Sequence, residues 1–175
     1  MVRFAYASPF GVVQLWGREG KLCRVVLGSA PTSAIKEGEP GFLKPFVELL
    51  DCYFQGREIQ CDGDSLQWDG LSGFRRRVYE ELLDVEFGQV ITYRRLAERC
   101  GHPHAARAAG SALRLNPLPI FVPCHRVVGA QGRLGGFSAG LGWKRNLLAH
   151  EGWCVQGDRL AHRRMAEHVR EVLPK

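Results

Sequence analysis

The 175 residues suffice for one or two small domains with a sizeable core, and a composition of 45% hydrophobic and 24% charged residues without a long biased tract excludes disordered and fibrous classes. No uninterrupted apolar run approaches the about eighteen residues that a membrane span needs, so no spanning helix is expected. The net charge of +6 is uneven: residues 1–73 hold 7 basic and 9 acidic side chains, residues 74–175 hold 17 and 9, and 19 of the 24 basic residues are Arg, which favours forked contacts to phosphate or carboxylate over a plain solvated surface.

The opening "MVRFAYASPFGVV" is interrupted by Ser8, Pro9 and Gly11, a poor secretory core, so export is not expected and a cytoplasmic location is. "FAYAS", "GVVQLWG" and "LCRVVLG" are short, rich in Val and aromatics and separated by turn chemistry, which predicts a meander of three strands. A looser "SAPTSAIKEGEPG" follows. Phe42, Phe46, Leu49, Leu50 and Tyr53 then recur at helical spacing and predict an amphipathic helix over 41–55 that ends near Gly56. "GREIQCDGDSLQWDGLSG", with four glycines and several acids, reads as the linker between a domain over 1–68 and one over 72–155.

In the second domain Ser72 is placed to cap a helix whose buried stripe is Phe74, Val78, Tyr79, Leu82 and Leu83. After the turn "FGQVITY", Thr92 caps a short helix over 93–100 that Gly101 stops. "HPH" turns the chain into "AARAAGSALRL", and the pair reads as a helix-turn-helix. The small side chains of its second helix permit close approach to another surface, with Arg107 and Arg114 projecting; tight core packing and a DNA-facing role stay open on this segment alone. Arg94, Arg95 and Arg99 nearby favour DNA phosphates. Pro117, Pro119 and Pro123 predict an extended, stiff chain. "GRLGGFSAG", with four glycines in nine residues, is a loop whose backbone can come close to a ligand. A helix at "LGWKRNLLAHEG" packs through Leu141, Leu147 and Leu148. In the tail, 156–175, "QGDR" suggests a turn, and Leu160, Met165, Val169, Val172 and Leu173 permit a terminal helix.

Six single cysteines without a CxxC pair favour reduced thiols, with a Cys52–Cys61 disulfide left open. All six histidines lie at or beyond position 102, so the first hundred residues offer no recognisable zinc spacing. Cys124 stands apart from the rest. A cysteine in an apolar run is commonly a small buried hydrophobe; here it follows the proline segment, precedes His125 and comes just before the Gly-rich loop. A thiol of pKa about 8.5 needs a nearby base or positive field to become a nucleophile. His125 is the candidate base, with Glu151 or His150 to orient it. Adjacent strand residues point to opposite faces, so direct Cys124–His125 contact requires a helical start at this point; otherwise a bound water carries the proton.

"NPLPIFVPCHRVVG", preceded by "HPHAARAAGSALR" and followed by "GGFSAGLGWKRNLLAHEG", resembles the O6-alkylguanine-DNA alkyltransferase (methylated-DNA–protein-cysteine methyltransferase) family over about residues 72 to 153, with a looser likeness before that. The resemblance implies an α/β fold in the broad, α+β sense: an N-terminal ribonuclease-H-like sheet domain and a helical domain with a winged helix-turn-helix. It implies repair of DNA by direct reversal of damage, with the alkyl group of O6-alkylguanine passing once and irreversibly to Cys124; O4-alkylthymine is left open as a second substrate.

In this resemblance His125 is the water-bridged base, Glu151 its orienting carboxylate, Asn116 the brace of the active-site turn and Tyr93 the phenol that meets guanine N3. Backbone at Cys124 and Val127 reads the base amino group, Gly136, Phe137 and Ser138 line the base pocket, and Arg126 holds the local fold. Ala105, Ala106, Ala108 and Gly110 let the second helix enter the minor groove, Arg107 fills the vacated stack, and Thr92, Tyr93, Arg94 and Arg114 complete the duplex contacts, the nucleotide having been flipped out. The expected partner is double-stranded DNA, bound by a monomer, with no cofactor and no metal. Phe137 stands where many relatives have Tyr, and Ala139 where a Gly is common and narrows the pocket. A non-catalytic lesion binder, whose relatives lack this cysteine, and a Cys-His hydrolase, which needs an oxyanion site, are the alternatives.

Overall fold

The computed structural model describes residues 1–28 and 39–163. Strands β1 (Val2–Ser8), β2 (Gly11–Arg18) and β3 (Lys21–Gly28) form an antiparallel meander in the order β1-β2-β3, with Val13 opposite Tyr6 on one side and Leu27 on the other. Alternation puts Val13 and Leu15 of β2 and Val25 and Leu27 of β3 inside, and the irregularity in the β2–β3 register at Trp16 and Gly17 brings Leu22 to the same inner face. Helix α1 (Lys44–Phe54) follows a short 3-10 turn at Gly41–Leu43, has Pro45 in its first turn, and buries Phe46, Leu50 and Tyr53. Phe42, expected in that stripe, is 37% exposed, because the stripe is taken up one residue later by fully buried Leu43.

The segment 56–73 is no free tether. Leu66 is fully buried and bridges to Leu22, and Gln67 N–H donates to Leu22 O at 2.9 Å. One continuous apolar core accordingly runs from Val13 and Leu15 through Leu50 and Leu66 to Val78, Leu96, Leu118 and Cys124. Each such side chain contributes roughly 1.5–3 kcal/mol by leaving water, so the two halves stabilise each other.

Helix α2 (Gly73–Leu83) starts at Ser72, whose Oγ accepts from Arg75 N–H at 3.4 Å, and buries Val78, Tyr79 and Leu82; Phe74 and Leu83 are half-buried. The two-residue strand β4 (Ile91–Thr92) leads into α3 (Tyr93–Arg99), which Thr92 Oγ1 caps by accepting from Arg95 N–H at 3.1 Å. α3 packs against α4 (Ala106–Arg114), completing the helix-turn-helix. β4 pairs in parallel with β5 (Val127–Val128), and α5 (Leu141–His150) leads into the antiparallel hairpin of β6 (Trp153–Gln156) and β7 (Arg159–Arg163). The chain is thus an α+β fold.

Several expectations need correction. The proline segment before Cys124 folds into tight turns instead of running extended, with Val122 N–H reaching back to Leu118 O at 2.8 Å. In α5, Leu141 is 38% exposed, while Trp143 and Lys144 are buried beside Leu147 and Leu148. The turn at "QGDR" forms, but it joins two strands, so the boundary at 155 cuts through a hairpin and 156–163 is not a helical tail. Leu160 lies in β7 and packs with Val90, Val128, Leu134, Leu148 and Trp153. Met165, Val169, Val172 and Leu173 lie outside the described residues. All six cysteines are free, Cys52 and Cys61 included.

Candidate active site

Directly after α4, the buried amide of Asn116 organises the turn that carries Cys124. Its Oδ1 accepts from Leu118 N–H at 3.0 Å, and its Nδ2 donates to Val122 O at 2.8 Å and to Cys124 Sγ at 3.0 Å. Pro123, at φ −79° and ψ 62°, makes an inverse γ-turn closed by Cys124 N–H to Val122 O at 2.7 Å. Ile120 has φ +77° although it is β-branched and buried, a strained conformation worth roughly 1–3 kcal/mol that the surrounding packing maintains. Cys124–Arg126 then form a single 3-10 turn, the helical start on which direct Cys124–His125 contact depended.

That turn sends His125 into the core instead of toward the sulfur. The imidazole is fully buried with Nε2 2.8 Å from Glu151 Oε1 and 3.4 Å from Tyr53 Oη. Glu151 also accepts from Tyr53 O–H at 3.0 Å, from Arg126 Nε at 3.1 Å and Nη2 at 2.9 Å, and from Gly88 N–H at 3.0 Å. Gly88, at φ +74°, holds the left-handed conformation that aims this amide at the carboxylate. Burial works against the ionised carboxyl of Glu151, but His125 and Arg126 outweigh it and lower its pKa to about 2. Burial lowers the pKa of His125 against the pull of Glu151, with Arg126 and Lys144 assisting, so the ring is neutral at neutral pH. Since an ionised carboxylate only accepts, Nε2 carries the hydrogen. Nδ1 is then a basic lone pair, and it is the one buried side-chain polar atom among the described residues without a hydrogen-bond partner.

Cys124 is 4% exposed, and burial raises its thiol pKa despite the opposing donor of Asn116, the charge of Lys144 and nearby backbone amides. Lys144 is fully buried. Its ammonium donates to Val127 O at 2.6 Å and to Leu134 O, and burial lowers its pKa to about 8, with Cys124 opposing. A buried ammonium satisfied by two carbonyls is a positive charge close enough to the sulfur to favour its ionised form.

Cys124 lines a cleft of about 740 Å³, together with Tyr93, Arg107, Gly110, Ser111, Leu113, Arg114, Gly136, Phe137 and Ser138. The structure therefore brings the expected Cys124, Tyr93, Arg107, Gly110, Arg114, Gly136, Phe137 and Ser138 to one opening, with Asn116, His125 and Glu151 behind it. On α4, Arg107, Ala108, Ser111 and Arg114 form the exposed face, Ala106 and Gly110 are half-buried, and Ala109 and Ala112 face the core. Burial raises the pKa of Tyr93, with Cys124 adding to it, so the phenol keeps its proton. Thr92 and Arg94 do not line the cleft: the Thr92 hydroxyl is engaged as a cap, and Arg94 and Arg95 both pair with Glu98, at 3.0 and 3.1 Å. Val127 is fully buried away from the cleft, and its carbonyl is occupied by Lys144. His150 Nε2–H donates to the Tyr53 carbonyl at 2.7 Å, so its ring is engaged with helix α1 and has no hydrogen bond to Glu151 or His125. Among the described residues no group of three or more His, Cys, Asp or Glu is arranged to hold a metal ion.

Sequence reading passed over Tyr53, Lys144, Gly88, Gly135, Ser111 and Leu113. Lys144 was detectable, since it lies three and four residues before Leu147 and Leu148 and so shares their buried stripe. Ser111 lies four residues beyond Arg107, on the same face of α4. Tyr53 looked like core, and only a partner distant in sequence gives its hydroxyl a purpose.

Residues 73–153 match the family described as "6-O-methylguanine DNA methyltransferase, DNA binding domain". The Metallosphaera sedula protein named methylated-DNA--protein-cysteine methyltransferase is 37% identical over 157 residues, which is 89% of this chain and 97% of that protein. The Homo sapiens protein of the same name is 38% identical over 167 residues, 87% of this chain and 81% of that protein. Among solved structures, Mycobacterium tuberculosis OGT in complex with DNA superposes with a TM-score of 0.73 at 35% identity, covering 85% of this chain and 92% of that one.

Proposed function

Since the chain belongs to the methylated-DNA–protein-cysteine methyltransferase family and repairs DNA by alkyl transfer to a cysteine, we propose that the acceptor is Cys124 and that the lesion is O6-alkylguanine flipped from duplex DNA into the cleft. The observation that carries this reading is the placement of Cys124 at the cleft lined by Tyr93, Arg107 and Phe137, with the Asn116 donor on its sulfur and the His125–Glu151 pair behind it.

The resting thiol is protonated, so the proton must leave as the sulfur attacks. His125 Nδ1 takes it through a bridging water, and the imidazolium so formed is stabilised by Glu151. A bond forms from Sγ to the alkyl carbon as the carbon–O6 bond breaks and its electron pair passes into the purine. Tyr93, kept protonated by burial, supplies a proton to the base as that charge develops. The thiol's lost proton thus balances the one the restored guanine gains, and no co-reactant is needed. The S-alkyl product is a thioether with no easy hydrolytic route back, so each molecule acts once.

Arg107 and Arg114 on the exposed face of α4 suit a duplex surface, and the small Ala106, Ala108 and Gly110 suit a narrow one, which supports minor-groove entry with Arg107 replacing the extruded base; in this reading the protein acts as a monomer. No required metal or cofactor enters this scheme. Mixing the protein with a duplex containing O6-methylguanine is expected to add one CH2 to the intact mass, mapped to Cys124 and absent from Cys124→Ala. Unchanged mass with retained binding means a lesion binder instead, and repeated release of a small product means a hydrolase.

A further inference from the structure

Resting on that reading of Cys124 and His125, we propose that Tyr53, from helix α1 on the N-terminal side of the molecule, is a positioning residue of the alkyl-transfer relay: its phenol donates to Glu151 and so keeps His125 neutral, with Nδ1 left to take the cysteine proton. Tyr53 is fully buried, 98 residues from Glu151 and 72 from His125 in sequence, yet its Oη lies 3.0 Å from Glu151 Oε1 and 3.4 Å from His125 Nε2. As the hydroxyl gives its hydrogen to the carboxylate, its lone pair faces Nε2–H, which is thereby shared between Glu151 and Tyr53.

The ring has little freedom to move. It meets Phe54 and His150 at 5.2 Å between centroids and Phe87 at 5.8 Å, while His150 Nε2 lies 2.7 Å from the Tyr53 carbonyl. Phe87 precedes Gly88, whose amide holds the other oxygen of Glu151. The carboxylate is therefore held by Tyr53 of α1 and the Gly88 amide together with Arg126.

The groups that face His125 are Glu151, Arg126, Lys144, Tyr53 and the neighbouring Cys124. Of these, Glu151 raises the affinity of His125 for a proton, whereas Arg126 and Lys144 lower it. A donor from Tyr53 to Oε1 draws carboxylate charge away from the imidazole and so works in the same direction as Arg126. Burial, with the charge of Glu151 adding to it, holds the phenol's pKa well above its usual value, so it remains a neutral donor wherever the relay operates.

Tyr53→Phe keeps the ring and removes the donor. Its single-turnover rate with an O6-methylguanine duplex is expected to fall by up to about tenfold in the acid range where His125 takes up its proton, the effect of raising the base by about one pKa unit, and to recover to within about twofold of wild type at higher pH where the proton is lost again. Affinity for the duplex should not change. ¹⁵N-imidazole NMR should show His125 titrating at higher pH, a readout independent of alkyl transfer, so wild-type protein that fails to alkylate Cys124 would refute the functional reading while leaving this one to be judged by the titration. Fluorotyrosine placed at position 53, the same shape with a stronger donor, should move both readouts the opposite way, and it decides the matter if the Phe variant does not fold. A loss uniform across pH, an unmoved His125 titration, or a fluorotyrosine effect of the same sign as Phe overturns the proposal.

Discussion

Asn116 Nδ2 lies 3.0 Å from Cys124 Sγ while the same amide group holds Val122 O at 2.8 Å, so one side chain both shapes the turn and faces the sulfur. An N–H aimed at sulfur favours thiolate over thiol, which opposes the effect of burial on Cys124. Asn116→Ala deletes that donor and leaves Leu118 N–H unsatisfied in the interior, while Val122 O keeps only the γ-turn bond from Cys124 N–H. Stability should drop by roughly 1–3 kcal/mol, one buried group's worth, and alkyl transfer by more than tenfold. Asn116→Asp retains the shape but sets a carboxylate against the sulfur; its transfer rate should fall more steeply than its stability. Urea denaturation beside single-turnover kinetics separates the two effects.

The buried pair of His125 and Glu151 predicts acid sensitivity in two steps. His125 has a folded pKa below its ordinary 6.5, so below that pH the unfolded chain takes up a proton that the folded chain refuses, and stability declines as the medium acidifies. Glu151 has a folded pKa lowered from 4.5 to about 2, so its contribution is complete above pH 4.5 and disappears as the pH drops toward 2. Unfolding free energies measured from pH 8 to pH 3 should decrease in both ranges. In Glu151→Gln the second decline should be missing, and a wild-type protein of constant stability between pH 7 and 5 would contradict the neutral buried imidazole.

Arg107 is exposed on α4 and lines the cleft, and it is absent from the ion pairs that occupy Arg94 and Arg95 with Glu98. Its side chain is thus free to enter a duplex. Arg107→Ala should slow repair of O6-methylguanine in double-stranded DNA by about tenfold or more, the effect of losing one or two kcal/mol of contact in the stack, yet leave reaction with the free modified base close to wild type. Equal losses on both substrates would assign Arg107 a role in the pocket chemistry instead.

Much of this arrangement was legible because local signals agreed with tertiary ones. The three strands announced themselves by Val and aromatic alternation, and Ser72 and Thr92 occupy the caps that their residue type predicts. Cys124, Asn116, His125 and Glu151 carry the family resemblance, and the structure assembles them. What stayed hidden depends on contacts between distant segments. The destination of the Tyr53 hydroxyl lies 98 residues away. Lys144 violated the expectation that charge faces water, and two carbonyls, one from β5 and one from the Gly-rich loop, make its burial tolerable. The proline run looked extended because each Pro fixes its own φ; the turn arises from Ile120, whose positive φ no residue type at that position announces. Leu160 fitted a helical spacing with residues further along, and the pairing of β7 with β6 outweighed it.

Gly135 and Gly136 are adjacent in the Gly-rich loop, yet they differ in what a side chain would meet. Gly135 has φ +66°, and a Cβ built on it would stand 2.7 Å from Tyr93 Oη and 3.2 Å from its ring, whereas a Cβ on Gly136 would meet nothing within 4 Å. Gly135→Ala therefore combines a backbone strain of order 1 kcal/mol with a collision against the phenol that faces the base. Either the loop withdraws from the cleft or Tyr93 is displaced, and in both cases the proton donor and the pocket wall lose their register. Alkyl transfer should fall by at least tenfold in Gly135→Ala while remaining within about threefold of wild type in Gly136→Ala, since a displacement of about 1 Å can cost a hundredfold in rate. Single-turnover measurements on both variants decide it. Equal activity would mean that the loop and Tyr93 are not in register during the reaction, and that the close packing of Gly135 on the phenol belongs to the resting protein alone.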